Sequence, residues 1–154
     1  MRLPSYIEDL NQWRADFKFS SKIEIRFSET DMFGHMNNVS PFIYFEEARI
    51  KYFNHLNLFG HLAEEQNKVP VVGDLKCDYM KQVFFGDELS IYVKASNVGN
   101  SSVDIHYMAI NQRSELCLTG RGTVVQINPK TGRSVPFDDH QRAQLSTLRE
   151  SVNM

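Results

Sequence analysis

Cysteine is scarce in this chain of 154 residues: only Cys77 and Cys117 are present, far apart in strand-like runs. Neither belongs to a Cys-x-x-Cys pair or to a metal-type spacing, which sets aside a disulfide framework, a zinc ribbon and a dithiol redox centre. They read as two reduced thiols of a core or sheet. Net charge is also lacking, at −2. That removes the basic footprint of a nucleic-acid binder or of a protein drawn to anionic membranes. No apolar run is long enough to span a bilayer. The opening "MRLPSYIEDLNQW" carries acids where a secretory leader would have its apolar core. Repeats and low-complexity tracts are missing as well. The expectation is a cytoplasmic protein of one domain, spanning residues 1–154.

What is present is ordinary globular material: 42% hydrophobic and 23% charged residues, enough for a sizeable core. Leu3, Ile7, Leu10, Trp13 and Phe17 recur at helical spacing and predict a helix over residues 3–17 within an N-terminal extension of residues 1–20. Ser5 and Glu8 fit a capping box at its start. Residues 22–28 alternate, with Ile23, Ile25 and Phe27 on one face, as in a half-buried strand. A polar junction, "SETDMFGHMNN", follows. Beyond it, Ser40 suits an N-cap and Pro41 a first helical position. Phe42, Phe45, Ala48, Tyr52 and Leu56 then define a long, mostly enclosed helix over residues 41–58.

From about residue 69 the period becomes two. One strand is predicted through "VVGDLKCDYM", with Leu75, Cys77 and Tyr79 on one face. Three more run through Leu89–Ala95, Val103–Ala109 and Leu116–Ile127. In the last, the apolar phase switches at Gly120 and Gly122, which predicts a bulge. Short links between these strands indicate antiparallel meanders. A C-terminal helix over residues 137–150, carrying Leu145 and Leu148 and capped by Asp138 or Asp139, completes an α+β order. A curved antiparallel sheet around the long helix would hide its apolar surface. The open sheet edges left over predict pairing with a second copy.

The segment "RFSETDMFGHMNNVSPFIYFEEAR", Arg26 to Arg49, resembles the hotdog-fold acyl-CoA thioesterases, specifically the 4-hydroxybenzoyl-CoA thioesterase-like group. The matching positions are Asp31, Gly34, His35, Asn37, Asn38, Glu46 or Glu47, Ala48 and Arg49. Weaker echoes extend the likeness over roughly residues 22–137. The resemblance implies a long central helix wrapped by an antiparallel sheet. It implies homodimers that can associate into tetramers, with sites at the dimer interface. It also implies hydrolysis of an acyl-CoA thioester with no metal or redox cofactor, CoA entering only as part of the substrate. Two positions depart from the family habit. Pro41 stands where a Tyr is frequent. Phe33 stands where plant acyl-carrier-protein thioesterases have Asn, which favours a CoA thioester.

Thioester hydrolysis needs an attacking oxygen and donors for the developing oxyanion. The first amides of a helix have no internal partners and carry the positive end of its dipole. The amides from about Asn38 to Phe42, without Pro41, can therefore form an oxyanion hole. By resemblance, the Asn38 N–H is the expected donor. Asp31 is the expected general base or nucleophile, and His35 the organiser of the site. Asp31, His35 and Asn38 form the catalytic set. Gly34, Asn37, Glu47, Ser101 and Ser102 form the set expected around the substrate: Gly34 for the bend, Asn37 for the loop or the helix cap, Glu47 facing the cavity, and the two serines reaching a site from a neighbouring strand. Glu46, Glu47 and Arg49 can equally form a polar network on or between helices. Lys81, Arg121, Lys130 and Arg133 are candidates for the CoA phosphates, and some of the eleven Phe and six Met for an acyl slot. Two rival readings are a non-catalytic acyl-CoA-binding sensor and an enoyl-CoA hydratase or dehydratase on the same fold.

Overall fold

The computed structural model describes residues 2–59 and 67–146. Its centre is a curled six-stranded antiparallel sheet in the order β1-β4-β5-β6-β2, with β3 also pairing β6. The strands are β1 (Phe19–Glu24), β2 (Val69–Val72), β3 (Lys76–Tyr79), β4 (Glu88–Val98), β5 (Ser102–Asn111) and β6 (Leu116–Ile127). Among the described residues three α-helices accompany them: α1 (Leu10–Ala15), α2 (Ser40–His55) and α3 (Asp139–Ser146).

The sheet's inner face carries the apolar rows expected of β4 and β5: Leu89, Ile91 and Val93, then Val103, Ile105, Tyr107 and Ala109, each at most 1% exposed. Against them lie Tyr44, Phe45, Ala48, Tyr52 and Phe53 of the sixteen-residue α2. The Phe45 and Tyr107 rings stack at 4.4 Å, and Arg49, buried beside them, donates to the Tyr107 hydroxyl at 2.9 Å. Ile43 and Ile50, on another side of α2, stay more than half exposed, so the helix is less enclosed than its apolar content predicts.

Four local expectations give way to tertiary geometry. The helix expected over residues 3–17 shrinks to α1. Asp9 caps it, its carboxylate accepting the N–H groups of Asn11 and Gln12, while Ile7 closes a turn onto Pro4. The apolar stripe survives all the same: Ile7, Trp13 and Phe17 cluster with Met108 on the outer face of the sheet. Phe27, expected to face inward, is 76% exposed, because the chain leaves β1 and turns through a short 3-10 helix at Phe27–Glu29.

The strand expected through residues 71–80 is two strands, β2 and β3, both on β6. At the break the Asp74 carboxylate accepts the Thr123 N–H at 2.7 Å, taking a rung that backbone would otherwise fill. Finally, β6 has no phase switch at its glycines. Leu118, Gly120, Gly122, Val124 and Gln126 are all buried, so the inward phase continues through both glycines, with Cys117 and Thr119 buried as well, and the register shift against β5 lies at Ala109/Ile110 instead. The glycines serve close approach. A Cβ on Gly120 would lie 2.5 Å from the Phe45 ring, and one on Gly122 would lie 2.5 Å from the Asp74 carbonyl oxygen.

At the C-terminus, Asp138 and Gln141 cap α3 reciprocally. The Asp138 carboxylate accepts the Gln141 N–H at 2.8 Å, and the Gln141 side chain accepts the Asp138 N–H at 3.0 Å. Leu148 lies outside the described residues.

Candidate active site

The junction between β1 and α2 is a tight loop closed on itself. The Asp31 N–H donates to the His35 carbonyl at 2.7 Å, and the Gly34 N–H donates to the Asp31 carbonyl at 3.1 Å. Gly34 has φ +79°, a left-handed conformation that L side chains rarely adopt. The Asp31 carboxylate braces the turn through one oxygen: Oδ1 accepts the N–H groups of Phe33 (2.8 Å) and His35 (3.1 Å). Oδ2 carries no hydrogen bond among the described residues, and the residue is exposed. The turn role normal for an Asp in a loop thus occupies half of the carboxylate and leaves the other half open.

The loop is lashed to the segment before β4. The Met36 N–H donates to the Val83 carbonyl at 2.7 Å, and the Phe85 N–H to the Gly34 carbonyl at 3.0 Å. The His35 ring meets the Phe84 ring edge-on at 4.9 Å. Behind the loop, Glu29 is 7% exposed and ion-paired with Arg26 at 2.6 Å. Its carbonyl accepts the Asn37 N–H at 2.7 Å and the Ser40 hydroxyl at 3.3 Å. Ser40 is therefore turned back toward Glu29 and does not cap α2. No side chain caps the helix: Val39 is its N-cap residue, and the Asn37 side-chain oxygen closes a turn just before it by accepting the Val39 N–H at 3.1 Å.

The amides at the start of α2 are mostly spoken for. Those of Asn37, Val39, Ser40 and Phe42 donate to Glu29 O, Asn37 Oδ1, Asn37 O and Val39 O respectively. The Asn38 N–H has no partner among the described residues. The oxyanion donors expected across residues 38–42 thus narrow to one amide. Asp31, His35 and Asn38 line one cavity of about 310 Å³, shared with Met36, Tyr79 and residues 80–83.

The remaining expected residues spread out. Gly34 and Asn37 belong to the same loop. Glu47 pairs with Lys51 at 3.2 Å and borders a different cavity, with Lys22–Phe27 and Phe85. Ser101 and Ser102 lie at the β4–β5 turn, where Ser102 is in register with Val125. Tyr79, on the site, is in register with Leu118 near the other end of β6. A single protomer therefore does not bring these serines to Asp31.

Among the cations, Lys81 borders the cavity but is held by Glu115. Lys81, with Asn111 and Arg113, holds that carboxyl down at about 2. Arg121 is committed to Asp104 at 2.6 Å and reaches Asp74 at 3.5 Å. Lys130 and Arg133 are exposed beyond β6.

Two contributors were not singled out in the sequence. Glu29 could have been noticed, since Arg26 and Glu29 have the spacing of a first-turn pair. Tyr79 reads there as one more sheet residue; only its register on β6 brings it to the site. Its hydroxyl donates to the Asn38 carbonyl.

Comparison with known proteins gives this arrangement a family. The family model of the thioesterase-like superfamily matches residues 25–145. An uncharacterized protein, YsmA, of Bacillus subtilis (strain 168) is 47% identical over 97% of this chain and 100% of its own. The solved structure of a predicted thioesterase from Bacillus stearothermophilus is similar at TM-score 0.74, with 29% identity over 83% of this chain and 93% of that one. A thioesterase from Thermus thermophilus, solved in complex with coenzyme A and Zn, is similar at TM-score 0.74, with 28% identity over 86% of this chain and 95% of that one. With the loop, the α2 start and most of the sheet inside the matched region, the chain belongs to the thioesterase-like superfamily and is a thioester hydrolase of the hotdog type.

Proposed function

We propose that this protein hydrolyses an acyl-CoA thioester to the free acid and CoA at the loop before α2. The observation that carries the reading is the pairing of two unoccupied groups on one cavity: Asp31 Oδ2 and the Asn38 N–H. As a general base, Oδ2 takes a proton from the water that attacks the carbonyl carbon. As a nucleophile, it attacks that carbon itself, and water then hydrolyses the mixed anhydride. Either way the carbonyl oxygen becomes an oxyanion, which the Asn38 N–H and the positive end of α2 stabilise. Collapse expels CoA as a thiolate, which needs no strong acid. Anchoring of Oδ1 by two amides holds the carboxylate in place for this step. His35, packed on Phe84, shapes the wall. No metal or redox group enters the reaction.

The working unit in this reading is a cytoplasmic homodimer of single hotdog domains, able to pair again into a tetramer, each sheet wrapped around its α2. Its support is an unfinished side of the protomer. Val71 and Val72 on β2 and Ile43 and Ile50 on α2 are exposed, and a mostly apolar groove of about 310 Å³ runs between the two elements. A second copy would cover this side, and its Ser101, Ser102 and Glu47 could then reach a site they do not reach within one protomer.

The test is a thiol-release screen over acyl-CoAs of graded length and over aromatic acyl-CoAs, with wild type and Asp31→Asn. Thiol release by wild type, lost in a folded Asp31→Asn, is the expected result. Near-normal turnover by the variant removes Asp31 from the chemistry. Tight acyl-CoA binding without thiol release would mark a sensor, and hydration of enoyl-CoA without thiol release a hydratase. Sedimentation equilibrium reads the assembly.

A further inference from the structure

We infer that Tyr79 is a positioning residue for the reaction: its hydroxyl, reaching across from β3, fixes the peptide next to the one that presents the oxyanion donor. The inference rests on the thioesterase reading above.

The geometry is a double clamp. The Asn37–Asn38 peptide holds the free Asn38 N–H, and its carbonyl accepts the Ser40 N–H at 3.0 Å. The Asn38–Val39 peptide is held at both ends. Its N–H donates to Asn37 Oδ1 at 3.1 Å, and its carbonyl accepts the Tyr79 hydroxyl. Two of the partners, the Ser40 N–H and the Asn37 side-chain oxygen, come from the loop itself and can rotate with it. The Tyr79 hydroxyl comes from the sheet, whose register places Tyr79 opposite Leu118. It therefore ties the Asn38–Val39 peptide at the start of α2 directly to the sheet.

A group able to accept hydrogen bonds as an anion would not serve. Burial, with Cys77 beside it, pushes the Tyr79 phenol above its ordinary range, so it stays a neutral donor. The neighbouring Cys77 thiol is pushed up to about 12 by burial, so it stays neutral as well. Tyr79 also borders the cavity with Asp31, but its hydroxyl is spent on the Asn38 carbonyl. It acts through the donor amide and makes no bond to the reacting atoms.

Tyr79→Phe keeps the ring on β3 and removes only the hydroxyl. Losing an oxyanion donor outright costs about 10²–10³ in kcat; loosening one costs less, and kcat should fall about tenfold with KM and the unfolding midpoint little changed. The Val39 amide nitrogen, which belongs to the same peptide as the released carbonyl, should shift in the NMR spectrum while the β3 amides stay in place. Unchanged kcat in the folded variant overturns the inference, as does a loss carried by KM or by stability. If Tyr79→Phe does not fold, fluorotyrosine at position 79 keeps ring and hydroxyl while changing donor strength. The kcat should then follow phenol acidity at constant KM, and a flat response overturns the inference. The two ideas fail separately. Full activity in Asp31→Asn removes the thioesterase mechanism, whereas an inactive Asp31→Asn beside a normal Tyr79→Phe removes only the role of Tyr79.

Discussion

The outer face of the sheet and the loop before α2 are both rich in aromatic and polar side chains, yet the first is largely closed within the described residues and the second is not. On the outer face, Trp13 of α1 donates through Nε1 to His106 Nδ1 at 2.9 Å, and His106 Nε2 meets Asp104 at 3.0 Å. Asp104 in turn holds Arg121. Lys94, 6% exposed, donates to the Trp13 carbonyl at 2.7 Å and lies over the Trp13 and Phe17 rings. At the loop, Met32 is 89% and Phe33 75% exposed, and among the described residues neither Asp31 Oδ2 nor the Asn38 N–H has a hydrogen-bond partner. The first region has spent most of its side chains on stability. The second holds groups in reserve, which is where binding and chemistry can occur.

The largest test of this contrast is Asp31→Asn. The amide oxygen can still accept the Phe33 and His35 N–H groups, so the loop should fold with the melting temperature nearly unchanged. Thioesterase turnover should fall by about 10²–10⁴, the usual contribution of a general base. A comparable loss of stability would mean that Asp31 is a brace like those on the outer face.

Trp13→Ala inverts the pattern. It should cost about 3–5 kcal/mol in denaturant unfolding, because a buried ring and the partner of His106 both disappear. Thioesterase kinetics of the protein that remains folded should stay close to wild type. A cost below about 1 kcal/mol would show that the N-terminal segment merely rests on the sheet.

A smaller effect comes from pH. Burial holds the His106 ring below its ordinary value, with Lys94 and Arg121 adding to the effect and the Asp104 carboxylate opposing it. Trp13 Nε1–H points at Nδ1, so the neutral ring with its proton on Nε2 is the form that fits. A base whose folded pKa is depressed binds its proton more readily when unfolded. Its contribution is therefore complete above the unfolded value of about 6.5 and is lost as pH falls below it. Unfolding midpoints compared at about pH 7.5 and about pH 5 should show this loss. Trp13→Phe, which removes the opposing N–H, should flatten it. An identical acid response in that variant would separate His106 from Trp13.

The smallest expected effect is that of Phe33→Ser. Its ring packs on little within the protomer, and unfolding of the monomer should change by no more than about 0.5 kcal/mol. A large loss would show that the loop tip is covered in the working molecule, and sedimentation of the variant would show whether a second copy covers it.

Much of this was readable from residue order. The rows of β4 and β5 alternate as written, the stripe Ile7–Trp13–Phe17 docks, and Asp31, His35 and Asn38 meet in one cavity. What misled were signals with two physical causes. Gly120 and Gly122 can mark a bulge or a close approach, and only the position of Phe45 and of the Asp74 carbonyl shows which. Helical spacing over residues 3–17 reports a shared buried face, which a turn followed by a short helix satisfies equally well. Asp74 looks like a loop residue until its carboxylate replaces a rung of the ladder.

The sequence by itself determined the apolar rows, the turn chemistry around Gly34, the dipole at the start of α2 and the family motif, because each of these depends on neighbours within a few positions. Only the tertiary structure decided which amide of α2 is left free, which Asp31 oxygen is spent, and that Tyr79 ties the helix start to the sheet. Those outcomes depend on partners such as Glu29, Val83 and Leu118, whose closeness comes from register and packing.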